Sequence, residues 1–267
     1  MLSVKSIQGH REYMEDKYIY FKEKNITIAM VCDGHGGYIA SLKTCNALPK
    51  LLFKALNNIK RTNIRHAQII RKVIIDWSEQ IKHYKSGSTL TGIVIKNDIV
   101  YIFNVGDSRT CLKLKPKSII YNLDPTFDSK GNFIDNLVVN FSESQFFCTK
   151  DHDATNNIEK ERIKSAGGKI VGDRLNGILS VTRSLGDADI GTGLIAVPDI
   201  FWTKKELING PILMYSDGIY EPLRSKTKNN FNNDYLYELA VSKGAEALVN
   251  YALENNSQDN LTALLVK

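Results

Sequence analysis

The sequence predicts an α+β fold in which layers of sheet are covered by helices. Short segments rich in β-branched and aromatic residues, typical of strands, occur near the N-terminus, around residue 100 and near the C-terminus. Longer segments with apolar residues at helical spacing lie between the early and the late strands, and again before the last strand. Each of these elements has an apolar face that must pack against another layer, so this order favours sheets with helices packed on them.

The size of the chain fits a single domain. Its 267 residues, 43% of them hydrophobic, are enough for one globular unit with a substantial core. No Pro/Gly/Ser-rich linker, low-complexity tract or internal repeat divides the sequence. The first motif starts close to Met1 and the last predicted strand ends the chain. We therefore expect one domain over residues 1–267, without a regulatory extension.

The charge pattern argues against nucleic-acid and membrane binding. The 35 Lys and Arg residues against 29 Asp and Glu give 35 − 29 = +6, and the basic residues are scattered; a short cluster such as Arg224–Asn230 is more typical of a solvated loop. No apolar run approaches the roughly 20 residues that span a bilayer, and the N-terminus becomes charged too early for a signal peptide. We expect an intracellular monomer, cytoplasmic or nuclear.

The cysteines give no sign of a metal cluster or a disulfide framework. Cys32, Cys45, Cys111 and Cys148 lie far apart and include no Cys-x-x-Cys pair. We therefore expect four reduced thiols, which is the ordinary state inside a cell.

Three predicted strands end in an aspartate, and a fourth begins after one. The four pairs are NITIAMVC before Asp33, DIVYIFNVG before Asp107, PILMYS before Asp217 and LTALLVK after Asp259. A single aspartate at a strand end is usually a turn former, because its side chain bonds nearby backbone amides. Four of them, together with Glu15 and Asp16, predict carboxylates that gather at one edge of the sheets. Cations would relieve their repulsion, and oxygen donors favour Mg²⁺ or Mn²⁺.

Four segments have the apolar spacing of helices. They run from about residue 39 to 59, from about 64 to 84, from about 234 to 241 and from 245 to 254. Pro49 falls inside the first and is expected to break or kink it. Smaller signals predict a helix cap at Ser165–Gly168, a strand start at Ser86–Gly92, and an added strand over residues 136–141 after a glycine turn at 128–132.

Nine segments, in the same order, resemble the motifs of the type 2C metal-dependent serine/threonine protein phosphatases. They are GHREYMED, CDGHGG, SGSTLTG, NVGDSR, TKDHD, EKERIKSAGGKI, DRLNGILSVTRSLGD, SDGIYE and SQDNLTALLV. These segments cover nearly the whole chain, and the resemblance depends on the ordered set. It implies a β-sandwich of two antiparallel sheets flanked on each side by α-helices, a four-layer αββα arrangement. It places the metal centre at one end of the sandwich, between the sheets.

The resemblance implies hydrolysis of phosphoserine and phosphothreonine in phosphoprotein substrates. The nucleophile would be a water that bridges two Mg²⁺ or Mn²⁺ ions, without a phosphoenzyme intermediate. The cysteines agree with this mechanism, because none has an arginine six residues later, as a tyrosine-phosphatase-type loop requires.

The matched motifs assign the metal ligands. Asp33 would bridge both ions, and Asp217 and Asp259 would complete the shell of one of them, directly or through water. Glu15 and the carbonyl of Gly34 would hold the other, since a glycine lets a metal approach its backbone closely.

Three neighbouring residues would assist the reaction, and two of them, Arg11 and His35, also have a structural interpretation. Arg11, four residues before Glu15, would bind two phosphate oxygens, or it forms only a surface salt bridge. His35 would protonate the departing serine or threonine oxygen, or it is a structural histidine at a strand end. Asp16 would orient the ligands or bound water from behind.

The sequence also suggests a third metal site and a buried ion pair. Asp107, with Asp217 and Glu221, matches the weaker third metal site of the family, but many members have aspartate where this chain has Glu221. Occupancy of a third site therefore remains open. Arg183 and Asp187 are expected to form a buried pair beneath the site.

Two alternatives use other functions. A binding module on the same fold, without catalysis, would be expected to lack a central metal-binding acid. All four of these acids are present in the sequence, namely Glu15, Asp33, Asp217 and Asp259. The metallophosphatases with histidine-rich centres contain GD-x-H-G and G-N-H-E patterns, which do not occur here.

Overall fold

The computed structural model describes residues 2–57, 59, 62–127, 133–141, 145–227 and 232–267. The strands are β1 (Leu2–Ile7), β2 (Lys17–Glu23), β3 (Ile26–Cys32), β4 (Gly34–His35), β5 (Gly87–Ser88), β6 (Leu90–Lys96), β7 (Ile99–Val105), β8 (Arg109–Leu114), β9 (Ile119–Phe127), β10 (Phe133–Phe141), β11 (Phe146–Cys148), β12 (Ile170–Val171), β13 (Arg174–Leu175), β14 (Leu185–Gly186), β15 (Asp199–Lys204), β16 (Ile208–Tyr215) and β17 (Leu261–Val266). The α-helices are α1 (Ile39–Leu56), α2 (Asn63–Ile81), α3 (Asn157–Ser165), α4 (Glu221–Thr227), α5 (Asn233–Lys243) and α6 (Ala245–Glu254), with short 3₁₀ turns at Lys205–Leu207 and Asp217–Ile219.

Two antiparallel sheets form the centre of the protein. The larger has the strand order β10-β9-β15-β7-β6-β3-β2, and the smaller has the order β1-β17-β16-β8-β11. Two small sheets accompany them, one of β12 with β13 and one of β14, β5 and β4.

Strand β3 shows why the central strands are apolar at almost every position. Its even-numbered residues Ile26, Ile28 and Met30 face a core shared with α1 and α2, whereas Ala29 and Val31 face the core between the sheets. A strand that is buried on both faces has no solvent side, so the alternation of apolar and polar residues disappears.

Helices cover both outer faces. Apolar residues of α1 and α2 pack on the larger sheet, and those of α5 and α6 pack on the smaller sheet. The core between the sheets contains residues of both, among them Ile102 and Met214. The order of layers is therefore helix, sheet, sheet, helix, which confirms the predicted αββα sandwich.

The predicted elements are present with small shifts. Helices α1 and α2 end a few residues earlier than predicted, and α6 has the predicted bounds. Pro49 lies buried inside α1, and the helix continues past it to Leu56. Gly167 follows α3 with a φ of 82°, as expected for a helix cap. The added strand is β10, whereas the predicted turn at 128–132 lies outside the described residues.

The expectation of four reduced thiols is wrong for one pair. Cys111 on β8 and Cys148 on β11 lie directly opposite each other and form a disulfide, although 37 positions separate them in sequence. Strand pairing brings them together, and spacing along the chain does not reveal it. Cys32 and Cys45 are free and buried.

The topology of the larger sheet brings two predicted acids to one edge. Strands β3 and β7 both pair antiparallel with β6, so they run parallel to each other. Their C-terminal ends, followed by Asp33 and Asp107, therefore lie at the same edge. Strand β2 starts opposite the end of β3, where Lys17 pairs with Cys32, so Glu15 and Asp16 arrive at that edge as well.

The smaller sheet contributes the remaining acids in the same way. Strands β16 and β17 are antiparallel neighbours, with Tyr215 opposite Ala263. The end of β16, before Asp217, and the start of β17, after Asp259, consequently meet at one edge.

Within the described residues, none of the helices combines the length and apolar character needed to cross a membrane.

Candidate metal centre and active site

Asn260 fixes the loop that contains Arg11 and Glu15. Its side-chain Oδ1 accepts a hydrogen bond from the Glu15 backbone N–H at 2.7 Å, and its Nδ2 donates to the carbonyls of Gln8 at 2.7 Å and Tyr13 at 3.0 Å. Asn260 follows Asp259 directly, so the loop after β1 is tied to the start of β17. This residue lies within a matched motif, but no local pattern in the sequence indicates this positioning role.

Two glycines after β3, Gly34 and Gly37, allow close contacts with Glu15. The Gly37 N–H donates to Glu15 Oε1 at 2.5 Å, and the Ser41 hydroxyl donates to the Glu15 carbonyl at 2.5 Å. A β-carbon on Gly34 would lie 2.6 Å from that carbonyl oxygen, which is closer than real contacts allow. The two segments can therefore approach only because position 34 has no side chain.

Asp16 lies beneath the acids and is 2% exposed. Ser216 donates to its Oδ2 at 2.7 Å, and the Thr262 backbone N–H donates to Ser216 Oγ at 3.0 Å. The other oxygen, Oδ1, is buried and has no hydrogen-bond partner among the described residues. A buried carboxylate oxygen without a donor is costly unless a cation or bound water completes it.

Three acids lie within reach of one cation. Asp217, Glu221 and Asp259 each offer a carboxylate oxygen, and these oxygens lie within 4.8 Å of one another. The motif match predicts that Glu221 shares a cation with Asp107 and Asp217. The structure shows in addition that the Glu221 carboxylate lies close to that of Asp259. Asp107 is not part of this cluster. Burial raises the pKa of its carboxyl well above the usual range, and the charges of Asp217, Asp151 and Glu221 raise it further.

The site acids oppose one another's ionisation. Desolvation raises the pKa of Asp33 well above its usual range, and the charge of Asp217 raises it further. Desolvation, followed by the charge of Glu221, raises the pKa of Asp217 to about 7. Desolvation also raises the pKa of Asp16 to about 6 and that of Asp107 well above its usual range. A divalent cation between these groups would favour their charged forms.

The donor set fits a hard divalent ion. All the candidate ligand atoms are oxygens, several are shielded from water, and the part of the chain that the structure describes offers no donor to the buried Asp16 Oδ1. Mg²⁺ and Mn²⁺ prefer such oxygen ligands.

Arg11 lies at the rim of these acids. Its Nη2 donates to Asp259 Oδ2 at 2.6 Å, and 56% of its side chain is exposed. Both interpretations of this residue thus have a geometric basis. The salt bridge is present, and the guanidinium has further N–H groups for a ligand.

His35 pairs with Asp187, not with a residue predicted for the site. Its Nε2 lies 2.8 Å from Asp187 Oδ2. The expected pair of Arg183 with Asp187 is therefore wrong. Arg183 instead bonds Glu159 Oε1 at 2.6 Å, Asp199 Oδ1 at 3.0 Å and the Val197 carbonyl at 2.9 Å.

A buried charge network connects α3 with the segment that precedes β14 and with the start of β15. Glu159 is 0% exposed and accepts from Arg183 through one oxygen, and from Arg162 and Thr182 through the other, at 2.8 and 2.7 Å. Although burial acts to raise the pKa of Glu159, Arg183 together with His152 and Arg162 holds that pKa well below its usual range. Glu159 is therefore ionised at neutral pH, as a buried carboxylate between two guanidinium groups should be.

Comparison with known proteins identifies the class. A family model described as "Protein phosphatase 2C" matches residues 1–261. The chain is 26% identical over 303 residues to "Probable protein phosphatase 2C 3" of Paramecium tetraurelia, covering 100% of this chain and 91% of that protein. It is 25% identical over 302 residues to the "Integrin-linked kinase-associated serine/threonine phosphatase 2C" of Homo sapiens, covering 97% of this chain and 70% of that protein.

A solved structure shares the fold. The phosphatase described as from a pathogenic strain of Toxoplasma gondii superimposes with a TM-score of 0.71 at 21% identity, covering 99% of this chain and 91% of that one. The match over residues 1–261 defines the class of the chain as a protein phosphatase, a hydrolase. The chain belongs to the protein phosphatase 2C family.

Proposed function

We propose that this protein hydrolyses phosphoserine and phosphothreonine esters in phosphoprotein substrates, using two Mg²⁺ or Mn²⁺ ions. The observation that supports this most directly is the convergence of acids from both sheets, Asp33 from the larger and Asp217 and Asp259 from the smaller, with an arginine at their rim. In a member of the protein phosphatase 2C family, that arrangement is what the reaction needs.

Phosphate monoesters hydrolyse very slowly in water, so the site must supply a nucleophile and neutralise charge. When bound, the two ions would supply a water of lowered pKa as the nucleophile, so that no phosphoenzyme would be needed. Asp33 would lie between the ions, Asp217 and Asp259 would hold one, and Glu15 and the Gly34 carbonyl would hold the other. Asp16, fixed by Ser216, would orient them from beneath.

Arg11 would bind the phosphate. Its planar guanidinium has five N–H donors, of which the contact to Asp259 uses one nitrogen, so the side chain can keep that contact and still donate to phosphate oxygens. Asp259 thereby links the phosphate-binding arginine to the metal centre.

His35 would act on the leaving group. A serine or threonine alkoxide is a poor leaving group, and a positioned imidazolium can protonate it as the ester bond breaks. A third ion, near Asp107 and Glu221, remains a prediction. The cluster of Glu221 with Asp217 and Asp259 supports a cation on this side of the site.

Phosphate release from a phosphothreonine peptide tests the function. We expect activity with Mn²⁺ or Mg²⁺, loss of activity when a chelator is added, and recovery when the metal is restored. Asp217→Asn should lower kcat by on the order of 10³-fold, since it removes charge from the metal centre. Asp76→Asn, which breaks an exposed ion pair with Lys72, is the matched control and should be unchanged. Activity that does not respond to the chelator would contradict the proposal.

A further inference from the structure

We propose that Asp187 is a positioning residue for His35: it holds the imidazole through Nε2, so that Nδ1 faces the departing serine or threonine oxygen. This inference rests on the proposed function, because it specifies how the general acid of that reaction is oriented. Neither the sequence motifs nor the family match assigned this role to Asp187.

A three-stranded sheet brings the two side chains together. Strand β5 lies between β4 and β14, and the register places His35 opposite Gly87 and Gly87 opposite Gly186. Asp187 follows Gly186 directly. Residues that are distant in sequence, 35 and 187, therefore flank the same glycine.

Because Gly87 has no side chain, there is space beside it for the contact between His35 and Asp187. A β-carbon at this position would lie 2.2 Å from His35 Nε2 and 2.0 Å from Asp187 Oδ2. Neither distance is physically tolerable, and the atoms in the way are the two that form the hydrogen bond. The need for glycine at position 87 thus follows from the His35–Asp187 contact.

The aspartate is fixed and the histidine is accessible. The Asp187 side chain is 4% exposed, whereas 29% of the His35 side chain is exposed. Ser184 donates a hydrogen bond to the same Asp187 oxygen, and the Asp187 backbone N–H donates to the Ser86 carbonyl at 3.2 Å. A buried carboxylate held on two sides is a rigid acceptor, and the ring that it binds is the part that a substrate can reach.

The hydrogen bond selects the orientation of the ring. Asp187 accepts the Nε2–H of His35, so the proton available for transfer is the one on Nδ1. In the reaction, the bond from phosphorus to the leaving oxygen breaks with its electron pair on that oxygen. The oxygen takes the Nδ1 proton, and a neutral imidazole remains hydrogen-bonded to Asp187. Loss of the carboxylate would leave the ring free to rotate away from this alignment.

Leaving-group dependence tests this role. Wild type, Asp187→Asn, His35→Gln and the double variant are assayed with Mn²⁺ on a phosphothreonine peptide and on 4-nitrophenyl phosphate, whose leaving group departs without protonation. We expect Asp187→Asn to lower kcat on the peptide by about 10- to 100-fold, with KM nearly unchanged, and to alter aryl phosphate hydrolysis by less than about threefold. In the His35→Gln background, Asp187→Asn should have no further effect on the peptide.

The controls separate positioning from folding. Asp189→Asn, two residues away in an exposed pair with Lys85, should behave like wild type. Ser184→Ala removes the other hydrogen bond to Asp187 and should show the same substrate pattern with a smaller loss, which keeps the test valid if Asp187→Asn folds poorly.

Two results would overturn the inference. One is an equal loss by Asp187→Asn on both substrates, and the other is a multiplicative loss in the double variant. Failure of the proposed function itself looks different, because wild type would then release no phosphate from the peptide in the presence of Mn²⁺.

Discussion

Asp33→Asn is expected to abolish phosphate release and, in the same protein, to stabilise the metal-free fold. Asp33 is desolvated and faces Asp217, Asp16 and Asp107, whose charges oppose its ionisation. A neutral amide of the same shape removes this repulsion, so the free energy of unfolding without metal should rise by about 0.5–2 kcal/mol. The same change removes the ligand that would lie between the ions, and kcat should fall by on the order of 10³-fold or more.

The pH dependence of the metal-free wild type follows from the same acids. The pKa values of Asp217 and Asp16 are raised in the folded state to about 7 and about 6, so the folded protein binds more protons than the unfolded chain in this range. Stability therefore falls as the pH rises through these values, and the metal-free protein should be more stable near pH 5 than near pH 8. Asp33→Asn should weaken this dependence.

Urea denaturation with a chelator and the shift of Tm on adding Mn²⁺ measure both effects. Wild type should gain stability from Mn²⁺, and Asp33→Asn should lose most of that gain. Asp76→Asn again serves as the exposed control. A metal-free Asp33→Asn variant that is less stable than wild type, yet keeps the full Mn²⁺ shift, would show that Asp33 is an ordinary structural residue.

Of the substitutions proposed, Glu159→Gln is expected to lower the free energy of unfolding the most. Glu159 is the carboxylate shared by Arg183 and Arg162, and all three side chains are 5% exposed or less. Glu159→Gln removes the charge that both guanidinium groups contact, while Arg183 keeps its contact with Asp199. Breaking a buried charge pair from one side costs about 3–5 kcal/mol.

Equilibrium unfolding in urea measures that loss directly. Glu79→Gln, in an exposed pair with Lys82, is the matched control and should change the free energy of unfolding by less than about 1 kcal/mol. The two variants should differ in their urea midpoints and share the same m-value. Equal midpoints for Glu159→Gln and Glu79→Gln would contradict the structural role of the network.

The sequence predicted the acids because their positions have a local signature. Asp33, Asp107 and Asp217 each follow an apolar segment, and antiparallel pairing then decides which strand ends share an edge. The helices could likewise be predicted from the spacing of apolar residues, and the four-layer order from the family resemblance.

Other parts of the site depend on contacts that no local pattern encodes. In the sequence, Asn260 is only a polar residue before a strand, yet its side chain hydrogen-bonds and positions the loop that contains Glu15. Asp187 was expected to pair with Arg183, four positions earlier, but a three-stranded sheet turns it towards His35 instead. The disulfide was missed for the same reason, since only the pairing of β8 with β11 places Cys111 beside its partner.

The arrangement of ions at the sheet edge is the central claim, and anomalous scattering from crystals grown with Mn²⁺ tests it most directly. We expect two peaks roughly 3.5–4 Å apart, both in contact with Asp33. One should also contact Asp217 and Asp259, and the other Glu15 and the Gly34 carbonyl. Crystals in which these acids point away from one another, with no peak between them at saturating Mn²⁺, would contradict the proposed centre.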